Sequence, residues 1–208
     1  MSGLTSVWTG NDHDLLLEAI PFYLRSPVDG GGRKLTIVDA TWGNGTFWRG
    51  RTPPGWRVVG MDSNAGKRAE VRADNRWLPV RDASVDVVVY DPPFVTHRWS
   101  EWSQMQSYGY AVGKGSVGYL FPAFVAGAAR ALRQNGILLC KMADQVHSGY
   151  LWPQTLELQQ EIEDAPGLTL CDVIIKVRPS ARPQPAGRRR LHAERRHSTW
   201  LVARKGKC

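Results

Sequence analysis

Apolar runs separated by short polar breaks predict an α/β domain. Residues 11–24 carry Leu15, Leu16, Ala19 and Ile20 at helical spacing behind Asn11 or Asp12 as N-cap, with Pro21 near the weakening end; this predicts a short amphipathic helix. After a loop at 26–33 with three glycines, strands are expected at 35–40, 56–61, weakly at 71–73, and at 85–90. The links between them are short, leaving room for a turn or two of helix at most. Residues 120–132 read as a helix through Phe124, Val125, Ala128, Ala129 and Leu132, closed by Asn135-Gly136 as a C-cap pair. A near-continuous apolar strand follows at 136–142, then a helix at 152–162 and strands at 168–177 and 198–203. Continuous apolar strands alternating with helices predict a mainly parallel sheet covered on both faces. The Pro/Arg-rich stretch before the last strand predicts a C-terminal antiparallel hairpin with an exposed basic loop at 178–197.

At 208 residues, 42% apolar and 22% charged, the chain fits a single domain over 1–208. No stretch reaches the length of a membrane span, and the N-terminus lacks a basic start and apolar signal core, so a cytoplasmic location without membrane contact is expected. Cys140, Cys171 and Cys208 are odd in number and widely spaced. Neither a disulfide framework nor a metal site is expected, and Cys140 and Cys171 read as small core residues. The net charge of +8 is uneven: residues 1–175 balance at −2, whereas residues 176–208 hold eleven Lys/Arg against Glu194 alone. Such asymmetry points to a polyanionic partner, because neutralising phosphates releases counterions and steers encounter.

The run Val85-Asp86-Val87-Val88-Val89-Tyr90 leads directly into Asp91-Pro92-Pro93-Phe94. Two prolines lack N–H groups and hold the segment extended, so carbonyl oxygens stand beside a carboxylate and are followed by an aromatic ring. That suits a planar target with an exocyclic amine, whose hydrogens the oxygens accept and whose face the ring stacks on. The motif resembles the Asp/Asn/Ser-Pro-Pro-aromatic signature of the amino-methyltransferases. Upstream, Asp39-Ala40-Thr41-Trp42-Gly43-Asn44-Gly45 follows the first strand, where glycines let a backbone approach a ligand closely. This stretch resembles the first motif of class I S-adenosylmethionine-dependent methyltransferases. The resemblance implies a Rossmann-like sheet and S-adenosyl-L-methionine as cofactor. It places Asp39 at the methionine amino group, with Ala40, Thr41, Gly43, Asn44 and Gly45 alongside methionine and ribose. Asp62 and Ser63 end the second strand, where a carboxylate can accept from ribose hydroxyls, a role shared with nicotinamide enzymes. Asp74 and Asn75 match the family's adenine position.

By this resemblance Asp91, Pro92, Pro93 and Phe94 form the catalytic edge, and the activity is methylation of an exocyclic base amine, adenine N6 before cytosine N4, with DNA favoured over RNA. An RNA base methyltransferase and a nucleic-acid-binding module without catalysis are the alternatives. A dehydrogenase is more distant, since Trp48 stands where a third glycine would complete a pyrophosphate loop. Residues 95–119, with His97, Arg98, Trp99, Trp102, Tyr108 and Tyr110, read as a substrate loop able to stack on bases. Asp144 and Gln145, after the fifth strand, are further candidates for substrate contact. The string Arg188 to Trp200 resembles the end of small microbial and phage DNA methyltransferases. Those enzymes usually carry a sizeable target-recognition domain, for which this chain has no room; specificity then rests on the two loops or on a protein partner. The Asn11-Asp12-His13 stretch is similar to a family segment near the methionine end of the cofactor.

Overall fold

The apolar run at 85–90 lies well inside the sheet, buried on both faces, and the other elements assemble around it. The structure, a computed structural model, describes residues 4–25, 34–49, 52–64, 66–93, 120–147, 150–178 and 192–208. In chain order its elements are β1 (Val7–Trp8), α1 (Asp12–Leu24), β2 (Leu35–Asp39), a 3-10 turn (Thr46–Trp48), β3 (Trp56–Asp62), β4 (Val71–Arg72) and β5 (Val85–Tyr90), followed by α2 (Phe121–Ala131), β6 (Leu132–Met142), β7 (Gln145–His147), β8 (Tyr150–Trp152), α3 (Gln154–Asp164), β9 (Leu168–Val177) and β10 (His197–Lys205). Eight strands form one sheet in the order β1-β9-β10-β6-β5-β2-β3-β4, and β7 pairs with β8 separately. Among these eight, β10 alone runs antiparallel to its neighbours, β6 and β9. The fold is therefore the mainly parallel α/β sheet with a C-terminal antiparallel hairpin that the pattern of runs predicts.

Alternation within each strand divides the core. Ile37, Val87, Val89, Leu139, Trp200 and Val202 face α1, where Leu15, Leu16, Ala19 and Ile20 cover them. Val38, Val88, Tyr90, Leu138, Cys140 and Leu201 face α2 and α3, meeting Phe121, Phe124, Leu158 and Ile162. Tyr90 stacks on Phe124 with ring centroids 3.7 Å apart. Burial of both faces explains why these strands read as unbroken apolar runs. Asp86 is the polar exception in β5; its buried carboxylate accepts from the Arg133 guanidinium at 2.7 Å and from the Thr36 amide at 2.8 Å.

Helix α1 is fastened at both ends. Asn11 caps it by accepting from the Asp14 amide at 2.8 Å. Near its C-terminus the Tyr23 hydroxyl donates to Asp172 on β9 at 2.6 Å, and the Arg204 guanidinium of β10 donates to the Tyr23 carbonyl.

Three expectations are corrected. Asn135-Gly136 is not a helix C-cap: α2 ends at Ala131 and the chain passes straight into β6, whose pairing with β5 already begins at Val85↔Leu132. Asn135 keeps its left-handed backbone (φ 64°), but inside the strand, where the β5–β6 register shifts. A side chain at Gly136 would meet the Arg133 and Asp86 carbonyls at 2.9 and 3.0 Å. Trp152 is not helical; Pro153 breaks the segment, so Trp152 pairs with Gln145 in the β7–β8 hairpin and α3 starts at Gln154. Cys171 is not a core residue but forms a disulfide with Cys208, at a Cα–Cα distance of 5.5 Å. Spacing along the chain could not reveal that pair, because the long β9–β10 hairpin brings its ends together. Cys140 is buried and free, as expected.

The bridge closes a loop with a sequence separation of 37 residues and staples the C-terminus to β9. Removing it with Cys208→Ser should cost about 2–4 kcal/mol, a fall in melting temperature of roughly 5–15 °C. Calorimetric scans of oxidised wild type, reduced wild type and the variant read this directly; three superimposed transitions would show that the bridge contributes nothing.

Candidate functional site

Parallel strands deliver their C-terminal residues to one edge of the sheet, and here those residues are acidic. Asp39 ends β2, Asp62 ends β3, and Asp91 follows β5. Asp39 is buried there and Asp62 and Asp91 are partly so, and a carboxylate that loses water needs a partner, since an unpaired buried charge is costly.

Asp39 is almost wholly buried. One of its oxygens accepts from the Thr41 amide at 3.0 Å and the other from the Trp48 indole N–H at 2.8 Å. Burial pushes its carboxyl up to about 6 against these stabilising bonds, with Asp62 adding a small push in the same direction. Thr41 also joins the two motifs: its hydroxyl accepts from the Asp91 amide at 2.7 Å and lies 3.5 Å from Asp39 Oδ1. The first glycine-containing stretch and the Asp-Pro-Pro stretch are thus one structural unit.

Gly43 and Gly45 both adopt left-handed backbone, φ 55° and 64°. The Gly43 amide donates to Asp62 Oδ2 at 2.8 Å, while the Asn64 amide donates to Asp62 Oδ1 at 2.8 Å. Asp62 therefore locks the glycine turn to the end of β3. The Trp42 indole lies flat between Gly45 and Gly60, so close that a Cβ on Gly60 would fall 2.2 Å from the ring. These glycines make room first for Trp42. Asn44 is exposed and accepts from Lys67 at 3.2 Å; Ala40 is buried and its amide donates to Val89; Ser63 is exposed.

Asp74 and Asn75 follow β4. Asp74 is gripped by the Arg76 guanidinium at 2.6 and 3.0 Å, which holds its carboxyl below the usual range, and Asn75 is buried. Among the described residues Asp74 bonds to Arg76 and not to the Asp39–Thr41–Asp91 unit.

Asp91 keeps 23% of its side-chain surface exposed, while Pro92 is buried and Pro93 half-buried. Loss of water pushes its carboxyl up to about 7; Lys141 opposes the rise, whereas Asp12 and Asp39 add to it. The Lys141 ammonium lies 3.4 Å from Asp91 Oδ2 and 3.1 Å from Asp12 Oδ2. Asp12, at the start of α1, also takes Lys176 at 3.2 Å and the Trp200 indole N–H at 3.1 Å. His13 Nδ1 meets the Phe47 carbonyl at 2.7 Å. The Asn11-Asp12-His13 stretch thus packs against the edge that carries Asp91.

Lys141 and Lys176 are members of this site that sequence reasoning did not single out, and Trp48 and Trp200, noted only for a missing glycine and as the end of the basic string, belong to it as N–H donors. The signal for Lys141 was a lone cation in the apolar run 136–142. Asp144 is positioned otherwise than expected: its carboxylate accepts from the Thr155 amide at 2.9 Å and so caps α3. Gln145 bonds the Ala143 carbonyl at 3.4 Å and sits on β7. Phe94, the loop 95–119 and residues 179–191 of the basic loop lie outside the described residues. The ends of that basic loop do not: Arg178 donates through its amide to the Arg196 carbonyl at 2.7 Å, and Val177 pairs with His197. Since Tyr90 pairs with Cys140 and Met142 with Thr199, the basic segment leaves and rejoins the sheet at the edge that carries Asp91.

No protein-family model matches the chain, and no curated protein does. Solved structures share its fold. A putative methyltransferase from Bacillus halodurans aligns over 95% of this chain and 100% of its own, at 14% identity and a TM-score of 0.57. A SAM-dependent methyltransferase from Aquifex aeolicus aligns over 93% and 89%, at 13% identity and a TM-score of 0.51. TrmN from Thermus thermophilus aligns over 92% of this chain but 48% of its own, at 15% identity and a TM-score of 0.50. The chain therefore spans about half the length of that structure. The fold is the Rossmann-like fold of class I methyltransferases.

Two outcomes test this geometry. Placing a methyl at Gly60 (Gly60→Ala) should drive the Trp42 ring out of its slot at a cost of about 1–3 kcal/mol, visible in denaturant unfolding; an unchanged midpoint would mean the ring is not confined. Burial raises the folded Asp91 value from 3.8 to about 7. Between those values the folded state holds a proton that the unfolded chain has lost, so stability falls as pH rises through this window and stays reduced above it. Asp91→Asn should consequently stabilise the protein by about 1–3 kcal/mol at pH 8, with the gain vanishing below about pH 4. A gain that is constant with pH would assign it to something other than the charge.

Proposed function

We propose that this chain is an S-adenosylmethionine-dependent methyltransferase acting on an exocyclic amine of a nucleic-acid base, with adenine N6 of DNA first and cytosine N4 second. The observation that carries the reading is the union of the two motifs at one sheet edge: the Thr41 hydroxyl joins Asp39 to Asp91, directly before the Pro92-Pro93 pair. The fold and the entry of the basic segment at the same edge support it.

The residues fit the cofactor's chemistry. Asp62, half-buried at the end of β3, carries lone pairs beyond those its two amide donors use and can take ribose hydroxyls, while buried Asp39, bonded to Trp48 and Thr41, places negative charge on the side where a ligand's ammonium would sit. Once bound, S-adenosylmethionine supplies an electrophilic methyl group on a cationic sulfur. The protein's task is to present the amine. Its nitrogen lone pair is delocalised into the base ring, so the Asp91 carboxylate and the Pro92 carbonyl accept its hydrogens and return electron density to nitrogen. As nitrogen gains the methyl it must lose a proton, and a carboxylate poised near neutrality is a suitable acceptor. Most of the remaining acceleration is positioning. In duplex DNA the base must be flipped out to reach this edge. Phe94 would stack on it, with specificity left to the two loops or a protein partner.

Incubation of the protein with labelled cofactor and duplex DNA, single-stranded DNA or structured RNA, followed by nucleoside mass spectrometry, should yield N6-methyladenine. Label on a base carbon, or on protein alone, would sink the assignment, and label on RNA alone would move it to RNA base amines. Asp91→Ala should lower turnover at least ~10³-fold while calorimetric cofactor affinity stays within a few-fold. A variant with near-normal turnover would remove Asp91 from the chemistry.

A further inference from the structure

Lys141 is the single charged residue of the run 136–142, and its side chain is 13% exposed. Its ammonium lies between two carboxylates, 3.1 Å from Asp12 and 3.4 Å from Asp91, and beside two rings, 5.1 Å from the Phe47 centroid and 5.9 Å from that of Trp200. An ammonium so enclosed has few rotamers left and is attracted to both ring faces.

We propose that Lys141 is a positioning residue whose ammonium, held by Asp12 and the faces of Phe47 and Trp200, keeps Asp91 ionised and directed at the sheet edge. The inference rests on the reading of Asp91 as the acceptor of the amine.

Among the described residues, the charges facing Asp91 come from three elements. On α1, Asp12 opposes its ionisation, and His13 is engaged with the Phe47 carbonyl. At the end of β2, Asp39 opposes it too, with its own oxygens occupied by Trp48 and Thr41. On β6, Lys141 is the cation that favours it. Lys176 on β9 reaches Asp12, not Asp91, and so acts indirectly. Lys141 is shared between Asp12 and Asp91, and because Asp12 also takes Lys176 and the Trp200 indole, its charge is compensated by more than Lys141. Without that ammonium, burial and two neighbouring carboxylates would all favour a proton on Asp91. A protonated carboxyl has lost half its acceptor character and would present a donor to the amine.

The titration of Asp91 can be read without catalysis, from its carboxyl carbon signal in the full-length protein labelled at aspartate and assigned by its absence in Asp91→Asn. Lys141→Met should raise the midpoint by about one pH unit or more, Lys141→Arg should restore it, and Asp12→Asn should lower it by roughly half a unit or more. The opposite signs of the first and last variants separate a charge effect from general disruption, and either one that folds gives the answer. A midpoint that moves in neither direction overturns the proposal. With substrate DNA, the acid limb of the turnover profile should follow the same midpoints while KM for the cofactor stays within about threefold. If the midpoints shift but wild type transfers no methyl to any nucleic acid, the coupling of Lys141 to Asp91 stands and the amine-methylation reading falls. If transfer occurs and the midpoints do not shift, the reverse holds.

Discussion

Loss of water at the C-terminal edge of the sheet is the constraint on which the rest of the site depends. Parallel pairing brings the ends of β2, β3 and β5 to one side, and each ends in or runs into an aspartate. The molecule meets the cost of gathering negative charge there by giving each carboxylate its own donors. Asp39 receives the Trp48 indole and the Thr41 amide, Asp62 the amides of Gly43 and Asn64, and Asp91 the Lys141 ammonium. Neutral N–H donors satisfy the first two without cancelling their charge. Among the described residues only Asp91 of the three is paired with a cation, and only Asp91 precedes the proline pair.

That balance depends on parts of the chain far apart in sequence. Asp12 arrives with the first helix, Lys141 with β6, and Lys176 and Trp200 with the last two strands. The helix is fixed at its other end by Tyr23 with Asp172 and Arg204, so the C-terminal hairpin holds both ends of α1. The disulfide between Cys171 and Cys208 secures that hairpin at the opposite end from the site. The hairpin whose strands end at Val177 and begin again at His197 on the Asp91 edge is thus also the element that keeps Asp12 in place.

Much of this was legible along the chain. Strands buried on both faces announce themselves as unbroken apolar runs, so β2, β3, β5, β6 and β9 fall within a few residues of their expected bounds, and so do α1 and α2. The carboxylates and glycines at strand ends were legible for the same reason, since a turn must follow a buried strand. What the sequence concealed depends on pairing between distant segments. Asn135-Gly136 carries the local signature of a helix cap, but the β5–β6 ladder claims it as an irregularity within a strand. The two-residue β1 and the β7–β8 hairpin are too short to show a period. Trp48 stands out in the sequence only as the residue in place of a third glycine, and Trp200 only as the end of the basic string; both are buried, and each directs its N–H at a carboxylate. Asp144 stands out for its place after the fifth strand, and its bond to the Thr155 amide at the start of α3 is not visible in the sequence.

A solvated aspartate would be a safer choice for stability, because its ionisation would cost the fold nothing. It would also be a weaker base and a less directional acceptor. Burial alone errs the other way, since a carboxyl deprived of water and flanked by Asp12 and Asp39 would keep its proton at neutral pH and cease to accept. Setting one ammonium against that burial leaves Asp91 near 7, where it is substantially ionised yet still binds a proton with useful affinity. Neither influence suffices alone, and on the proposed reading their opposition accounts for a lysine in the otherwise apolar run 136–142, one residue before β6 ends. The position would be better filled by a hydrophobic residue if packing were its only purpose.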